Sequence, residues 1–142
     1  MPIPVSKPTN QMRVGVDVTA ISDVRVSLAQ FGDRYRTRMY TEAEIAYCTS
    51  ASCSEIEAER FAARFAAKEA VVKVLRPRGQ RPKWTSIEVV RQPDGWCEIQ
   101  LSDYAADMAH HAGIADMSLS MSHEAGIAFA TVIATTTGES AR

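Results

Sequence analysis

From Met12 the chain alternates, with Val14, Val16 and Val18 at every second position and Arg13, Gly15 and Asp17 between them. A period of two predicts a β-strand whose valines enter the core, with Asp17 near its end on the opposite, outward face. Val24, Leu28 and Phe31 then fall at helical spacing. With Ser22 as cap and Gly32 as stop, they predict a helix over roughly 23–31. Thr41 followed by Glu44 is a capping box and opens a short helix through Tyr47. The longest helix is predicted from about Glu55 to Leu75, a stretch rich in alanine and free of Gly and Pro that ends before Arg76-Pro77.

Alternation returns in Ile87 to Val90 and in Cys97, Ile99 and Leu101, with Pro93-Asp94-Gly95 between them. This is a β-hairpin signature. A helix follows from about Asp103 to His111, stopped by Gly113, and then Met117, Leu119 and Met121 alternate with serines. Ile127 to Ala134 is apolar enough to read as a buried last strand paired with the one before it. Helices and strands mix without a repeating βαβ unit, so the class is α+β, an antiparallel sheet packed with one long and several short helices. A single domain over 12–135 is expected, with loose tails at 1–11, where Pro2, Pro4 and Pro8 prevent regular structure, and at 136–142.

Composition narrows the function classes. The chain has 142 residues, 46% of them hydrophobic, which suits one core. Net charge is -1, from 16 basic and 17 acidic residues, so no overall field holds nucleic acid or an acidic membrane, and any bound anion must be met locally. No apolar stretch is long enough to span a bilayer, and the N-terminus lacks the layout of a signal peptide. Cys48, Cys53 and Cys97 are odd in number, and none forms a CxxC pair. They suit a reducing cytoplasm.

Candidate chemistry lies on the long helix. Phe65, Glu69 and Lys73 are spaced by four and share one stripe, while Arg64 and Lys68 form a neighbouring one. Glu69 and Lys73 can be read as a solvated ion pair worth about 0.2–0.5 kcal/mol. The Ala, Val and Phe around them leave little of the helix facing water, and charges in such surroundings need partners. Asp17 reads either as a strand-end or capping acid or, with Glu69, as a magnesium ligand. Two acids with adjacent Lys and Arg are the inventory expected where a metal-bound pyrophosphate is cleaved. His123 reads as a structural residue or as a phosphate or hydroxyl donor. Trp84 and Trp96 read as core or strand-cover aromatics.

Taken together, Gly15-Val-Asp17-Val-Thr-Ala-Ile-Ser, Met39-Tyr-Thr41-Glu-Ala-Glu44, Arg60-Phe-Ala-Ala-Arg64-Phe-Ala-Ala-Lys68-Glu69-Ala, Ile87-Glu-Val-Val and Ser118-Leu-Ser-Met-Ser122-His123 resemble the holo-[acyl-carrier-protein] synthase family, the short type of 4'-phosphopantetheinyl transferase. The resemblance runs in the family's order from about residue 13 to 134. It implies that fold and transfer of the phosphopantetheine arm of coenzyme A to a serine of apo-acyl carrier protein, releasing adenosine 3',5'-bisphosphate. It also implies Asp17 and Glu69 as magnesium ligands and Glu69 and Lys73 as the catalytic residues. Arg64, Lys73 and His123 become coenzyme A contacts, with Lys68 a weaker candidate. A homotrimer with active sites between subunits is implied as well.

The chain departs from the family pattern in two places. Where the family usually has a Gly-Thr-Gly type loop, this chain has Leu75-Arg-Pro-Arg-Gly-Gln-Arg-Pro-Lys-Trp84, and Arg76, Arg78, Arg81 and Lys83 either meet phosphate or form a solvated face. Asp23 stands where many members carry a basic residue, with Arg25 nearby, so a specialised polyketide or peptide carrier is an alternative acceptor. Other readings are a binding module without turnover and a metal-dependent phosphohydrolase.

Overall fold

The computed structural model describes residues 2–3 and 11–137. The predicted loose tails fall mostly outside these residues, except that Gln11 and Thr136 are strand residues. In chain order the elements are β1 (Gln11–Ala20), α1 (Ile21–Phe31), α2 (Asp33–Met39), α3 (Glu42–Thr49), α4 (Ser54–Leu75), β2 (Ile87–Arg91), β3 (Cys97–Leu101), α5 (Asp103–His111), β4 (Ile114–Glu124) and β5 (Ile127–Thr136). A 3-10 turn, Trp84–Ser86, precedes β2. β1, β5 and β4 form an antiparallel sheet in that order, and β2 and β3 pair separately as the predicted hairpin. The α+β class holds, with the strands divided between two sheets. No helix among the described residues is long and apolar enough to cross a membrane.

Most boundaries follow their local signals. Thr41 and Glu44 form the reciprocal capping box of α3, and Gly32, at φ 54°, ends α1. Ser22 does not cap α1: the helix starts one residue earlier, with Ala20 at the cap position and no side-chain bond. The short helix α2 lies in a segment for which the pattern predicted no element. Trp84 packs on Phe65 with ring centroids 5.6 Å apart, whereas Trp96 is exposed.

The face of β1 is the main correction. Val14, Val16 and Val18 are 59%, 40% and 55% exposed, while Gly15 and Thr19 are buried and Asp17 lies on their side. The reason is the approach of α4. A Cβ on Gly15 would stand 2.1 Å from the Ala70 carbonyl oxygen and 3.1 Å from Val74 Cγ2. The alanine-rich helix therefore lies directly on the strand where the side chain is missing, and the valines are left outside. β5 is likewise not buried on both faces. Ala128, Ala130, Val132 and Ala134 meet α4, and Ile127, Phe129 and Ile133 face outward.

Two clusters share α4 as their common wall. Toward its C-terminal half, Val71, Val74 and Leu75 pack with Ile87, Val132 and Ala105. Toward its N-terminal half, Phe61 and Ala62 pack with Tyr40, Val24 and Cys48. Full burial of a side chain such as Phe61 contributes about 1.5–3 kcal/mol.

Candidate functional site

β1 and α4 bring the sequence-predicted acids into one groove. Asp17 and Glu69 both line a cavity of about 490 Å³ with Asp23, Tyr35, Met39 and Phe65. Gly15 sets this convergence, because the close contact at Ala70 presses the Glu69 turn of α4 onto the strand end that carries Asp17. Asp17 keeps 17% side-chain exposure, and Thr19 Oγ1 donates to its Oδ2 at 3.1 Å. Lys73 pairs with Asp17, not with Glu69 four residues before it. Its Nζ donates to Asp17 Oδ1 at 3.2 Å and to the Val16 carbonyl at 2.6 Å.

The Glu69 carboxyl is raised above its ordinary value, first by burial and then by the Asp17 carboxylate, with Arg81 and Lys73 opposing. Two carboxylates that line one half-open groove are a donor set for a divalent cation. Arg81 lies in the basic loop after α4, so that loop brings positive charge toward the acids.

Lys68 corrects the sequence reading. Its side chain has no exposed surface, and its ammonium meets Glu44 Oε1 at 2.8 Å, the Trp84 carbonyl at 2.9 Å and the Ile87 carbonyl. An ammonium has three protons, and here three acceptors engage them, so none is left for a ligand. Burial holds its pKa below the ordinary lysine value, with Glu44 opposing. Glu44 is equally engaged, accepting from Thr41 N at 2.8 Å and Val89 N at 2.9 Å. The pair ties α3 and α4 to the start of β2 and stands in the core instead of at a cofactor surface.

Arg64 and His123 open elsewhere. Both line a second cavity of about 360 Å³ with Tyr47, Arg60, Arg91 and Met121, and none of its lining residues belongs to the acid groove. Arg64 precedes Glu69 by five residues, which places them about 140° apart around the helix axis. Arg64 is buried at 4% exposure and sets its guanidinium 4.4 Å from the centroid of the Tyr47 ring. His123 Nε2 lies 3.9 Å from Glu59 Oε2, an ion pair only when the imidazole is protonated.

Tyr47, Arg60 and Arg91 were not marked from sequence. Arg60, four residues before Arg64 on one helix face, was the available signal, because like charges at that spacing repel by about 0.2–0.5 kcal/mol. Tyr47 offsets this, its ring lying 4.4 Å from the Arg60 and Arg64 guanidinium carbons. Each such contact is worth about 0.5–1 kcal/mol at an exposed site.

Comparison with known proteins gives the family. Residues 13–130 match the family model described as the 4'-phosphopantetheinyl transferase superfamily. The holo-[acyl-carrier-protein] synthase of Koribacter versatilis is 40% identical over 84% of this chain and 94% of its own. That of Dehalococcoides mccartyi is 37% identical over 84% and 95%. Among solved structures, the Chronobacterium ammoniagenes complex with coenzyme A superposes with a TM-score of 0.77 at 26% identity, covering 89% of this chain and 98% of that one. The Helicobacter pylori synthase in complex with coenzyme A gives 0.73 at 27% identity, covering 86% and 99%. From its matched sequence and its fold together, the chain belongs to the 4'-phosphopantetheinyl transferase superfamily, among the holo-[acyl-carrier-protein] synthases.

Proposed function

We propose that this protein transfers the 4'-phosphopantetheine arm of coenzyme A to a serine of an apo-acyl carrier protein, releasing adenosine 3',5'-bisphosphate. The observation that carries the reading is the convergence of Asp17 and Glu69 in one groove, with Lys73 ion-paired to Asp17. It is the charge set that cleavage of a diphosphate needs. Magnesium fits the donor set, with Asp17 and Glu69 as its carboxylate ligands. When bound, the ion supplies Lewis-acid polarisation of the diphosphate and neutralises charge on the leaving phosphate.

The chain's own residues do the rest. Lys73, anchored by Asp17 and the Val16 carbonyl, presents an ammonium to the diphosphate. The carrier serine oxygen attacks the phosphorus that bears the pantetheine arm. The bond from that phosphorus to the bridging oxygen breaks, and its electron pair leaves with the bisphosphate. The serine proton needs a base, and Glu69, made more basic by burial and by Asp17, has that property within the groove.

Coenzyme A carries one further anionic group, its 3'-phosphate. The diphosphate occupies the acid groove, so the 3'-phosphate falls to the separate basic cavity of Arg64 and His123. In one chain these two cavities share no lining residue. A homotrimer supplies the missing half by setting the basic cavity of one subunit beside the acid groove of the next. Its support here is the outer face of the sheet, where Val14, Val16, Val18, Phe129 and Ile133 stand exposed. Contiguous apolar surface of this kind marks an interface. The carrier docks at α1, where Val26 and Phe31 are exposed beside Arg25. The cytoplasm suits the unpaired Cys48, Cys53 and Cys97.

Intact-protein mass spectrometry of an apo-acyl carrier protein incubated with coenzyme A and this chain tests the reaction. A gain of one phosphopantetheine that requires magnesium is expected, and free phosphopantetheine with unmodified carrier would make the protein a hydrolase. Mixing Glu69→Gln with Arg64→Ala subunits tests the shared site. Each variant alone should be inactive and the mixture should regain activity, whereas no regain on confirmed subunit exchange would refute a site built across subunits.

A further inference from the structure

The Tyr47 ring gathers three guanidinium groups: Arg60 and Arg64 at 4.4 Å and Arg91 at 5.4 Å. Arg60 and Arg64 come from successive turns of α4, and Arg91 from the end of β2. Among the described residues, none of these arginines makes an ion pair within 4.0 Å. Arg60 donates only to neutral oxygens, the Tyr47 carbonyl at 2.9 Å and Ser50 Oγ at 3.2 Å. Arg64 is 4% exposed, and its Nε is buried without a hydrogen-bond partner. Arg91 lies across the hairpin turn, its Nη2 in contact range of the Gly95 backbone, 3.4 Å from where a Cβ there would stand.

Such a cluster is incomplete by itself. Like charges drawn together around one ring repel, and partial burial removes the water that would screen them. The cavity they line is also lined by His123 and by one carboxylate, Glu59, which faces His123 at 3.9 Å. Contact with the ring holds the guanidinium groups near one another, and of their five N–H donors each, only Arg60 Nη1 and Arg64 Nη1 are engaged by protein oxygens, the Tyr47 carbonyl, Ser50 Oγ and the Arg60 carbonyl, among the described residues. A terminal phosphomonoester offers a dianion and three free oxygens, which match several guanidinium donors arriving from different elements.

We propose that Arg60 and Arg91, positioned on the Tyr47 ring, are specificity-determining residues that make the enzyme select coenzyme A through its 3'-phosphomonoester. The inference rests on the assignment of the 3'-phosphate to this cavity, and it adds the residues that distinguish that dianion from a plain ribose hydroxyl. Arg64 supplies the buried charge, and Arg60 and Arg91 add donors from the rim. Tyr47 acts through them as a positioning residue.

Calorimetric binding of adenosine 3',5'-bisphosphate and of AMP to the full protein tests the proposal, with dephospho-coenzyme A beside coenzyme A in the transfer assay. The wild type should prefer the bisphosphate. Arg91→Ala and Arg60→Ala should each shrink that preference about 10- to 100-fold, the loss of a charged hydrogen bond, through weaker bisphosphate binding. Arg91→Lys should restore part of it. Tyr47→Leu should lower it as well, whereas Tyr47→Phe, which keeps the ring, should not. In the transfer assay the Arg91→Ala loss should sit in KM for coenzyme A. An unchanged preference in both alanine variants, or equal loss for both nucleotides, would overturn the proposal. The nucleotide ratio decides the anion site, and wild-type transfer to the carrier decides the reaction, so failure of one is not failure of the other.

Discussion

Replacing Lys68 with methionine separates a core tie from a cofactor contact, because the two roles predict opposite losses. The substitution keeps most of the side-chain volume and removes the ammonium that meets Glu44, Trp84 O and Ile87 O. Glu44 would remain fully buried, still accepting from Thr41 N and Val89 N but without its counter-charge. Breaking one side of such a pair costs about 3–5 kcal/mol, a large share of the roughly 5–15 kcal/mol that holds a domain together. At about 3–4 °C per kcal/mol for a chain of this size, Tm should fall by roughly 10–20 °C. Urea unfolding at fixed protein concentration measures the loss, since assembly makes stability concentration-dependent. Adding Glu44→Gln should recover part of it, because a neutral amide is less costly to bury alone than a carboxylate. KM for coenzyme A in the remaining native protein should stay within about twofold. A stability loss under about 1 kcal/mol together with a tenfold rise in KM would refute the argument and return Lys68 to the cofactor.

Three other perturbations probe the rest of the arrangement. Gly15→Ala forces a methyl to within 2.1 Å of the Ala70 carbonyl. It should cost about 1–3 kcal/mol and lower activity by moving Glu69 away from Asp17; wild-type activity and Tm would mean the contact is looser than described. Glu69 must be ionised to serve as ligand or base, and its carboxyl is raised by burial and by Asp17. At limiting magnesium, activity should therefore fall as pH drops through a value above the ordinary carboxylate range. Saturating magnesium, which favours the ionised form, should move that limb to lower pH, and a limb indifferent to magnesium would count against the assignment. Val16→Glu places a charge on the outer sheet face and should leave a folded monomer by light scattering with transfer activity reduced at least about tenfold, since charge is depleted from interface cores. A fully active monomer would exclude a site shared between subunits.

Strand and helix periods were legible because they are local, but the side each strand turns inward was not. The alternation of Val14, Val16 and Val18 predicted a strand correctly and its inner face wrongly. Hydrophobicity favours the valines for the core, yet a helix faced with alanine packs closest on the side where Gly15 has no side chain. Asp17 and Glu69 stood out as acids in apolar surroundings, but their meeting depends on that same contact and has no counterpart in spacing. Lys68 stood out for the same reason as Glu69 and proved to be internal. Its partner, Glu44, was visible only as a capping residue, although one carboxylate oxygen caps α3 while the other holds Val89 N.

Helix α4 explains why neighbouring charges have unlike roles. Successive residues on a helix turn by about 100°, so Lys68 and Glu69, adjacent in sequence, face different surroundings. Lys68 enters the space between α3 and β2 and is consumed by internal acceptors. Glu69, with Lys73 one turn later, faces β1 and Asp17. Arg60 and Arg64 turn away toward Tyr47 and the hairpin. The small residues between these charges let α4 lie close to the sheet while long side chains leave it in several directions. One buried helix thereby carries a core ion pair, one wall of the acid groove and part of the arginine-lined cavity. Because the last two diverge around its axis, the proposed function needs a second subunit to bring both ends of a coenzyme A together. The exposed valines of β1 and the separation of the two cavities bear on the same proposal: the sheet face that the helix leaves uncovered is the one on which the proposed trimer would place another subunit, and a monomer with full transfer activity would break that link.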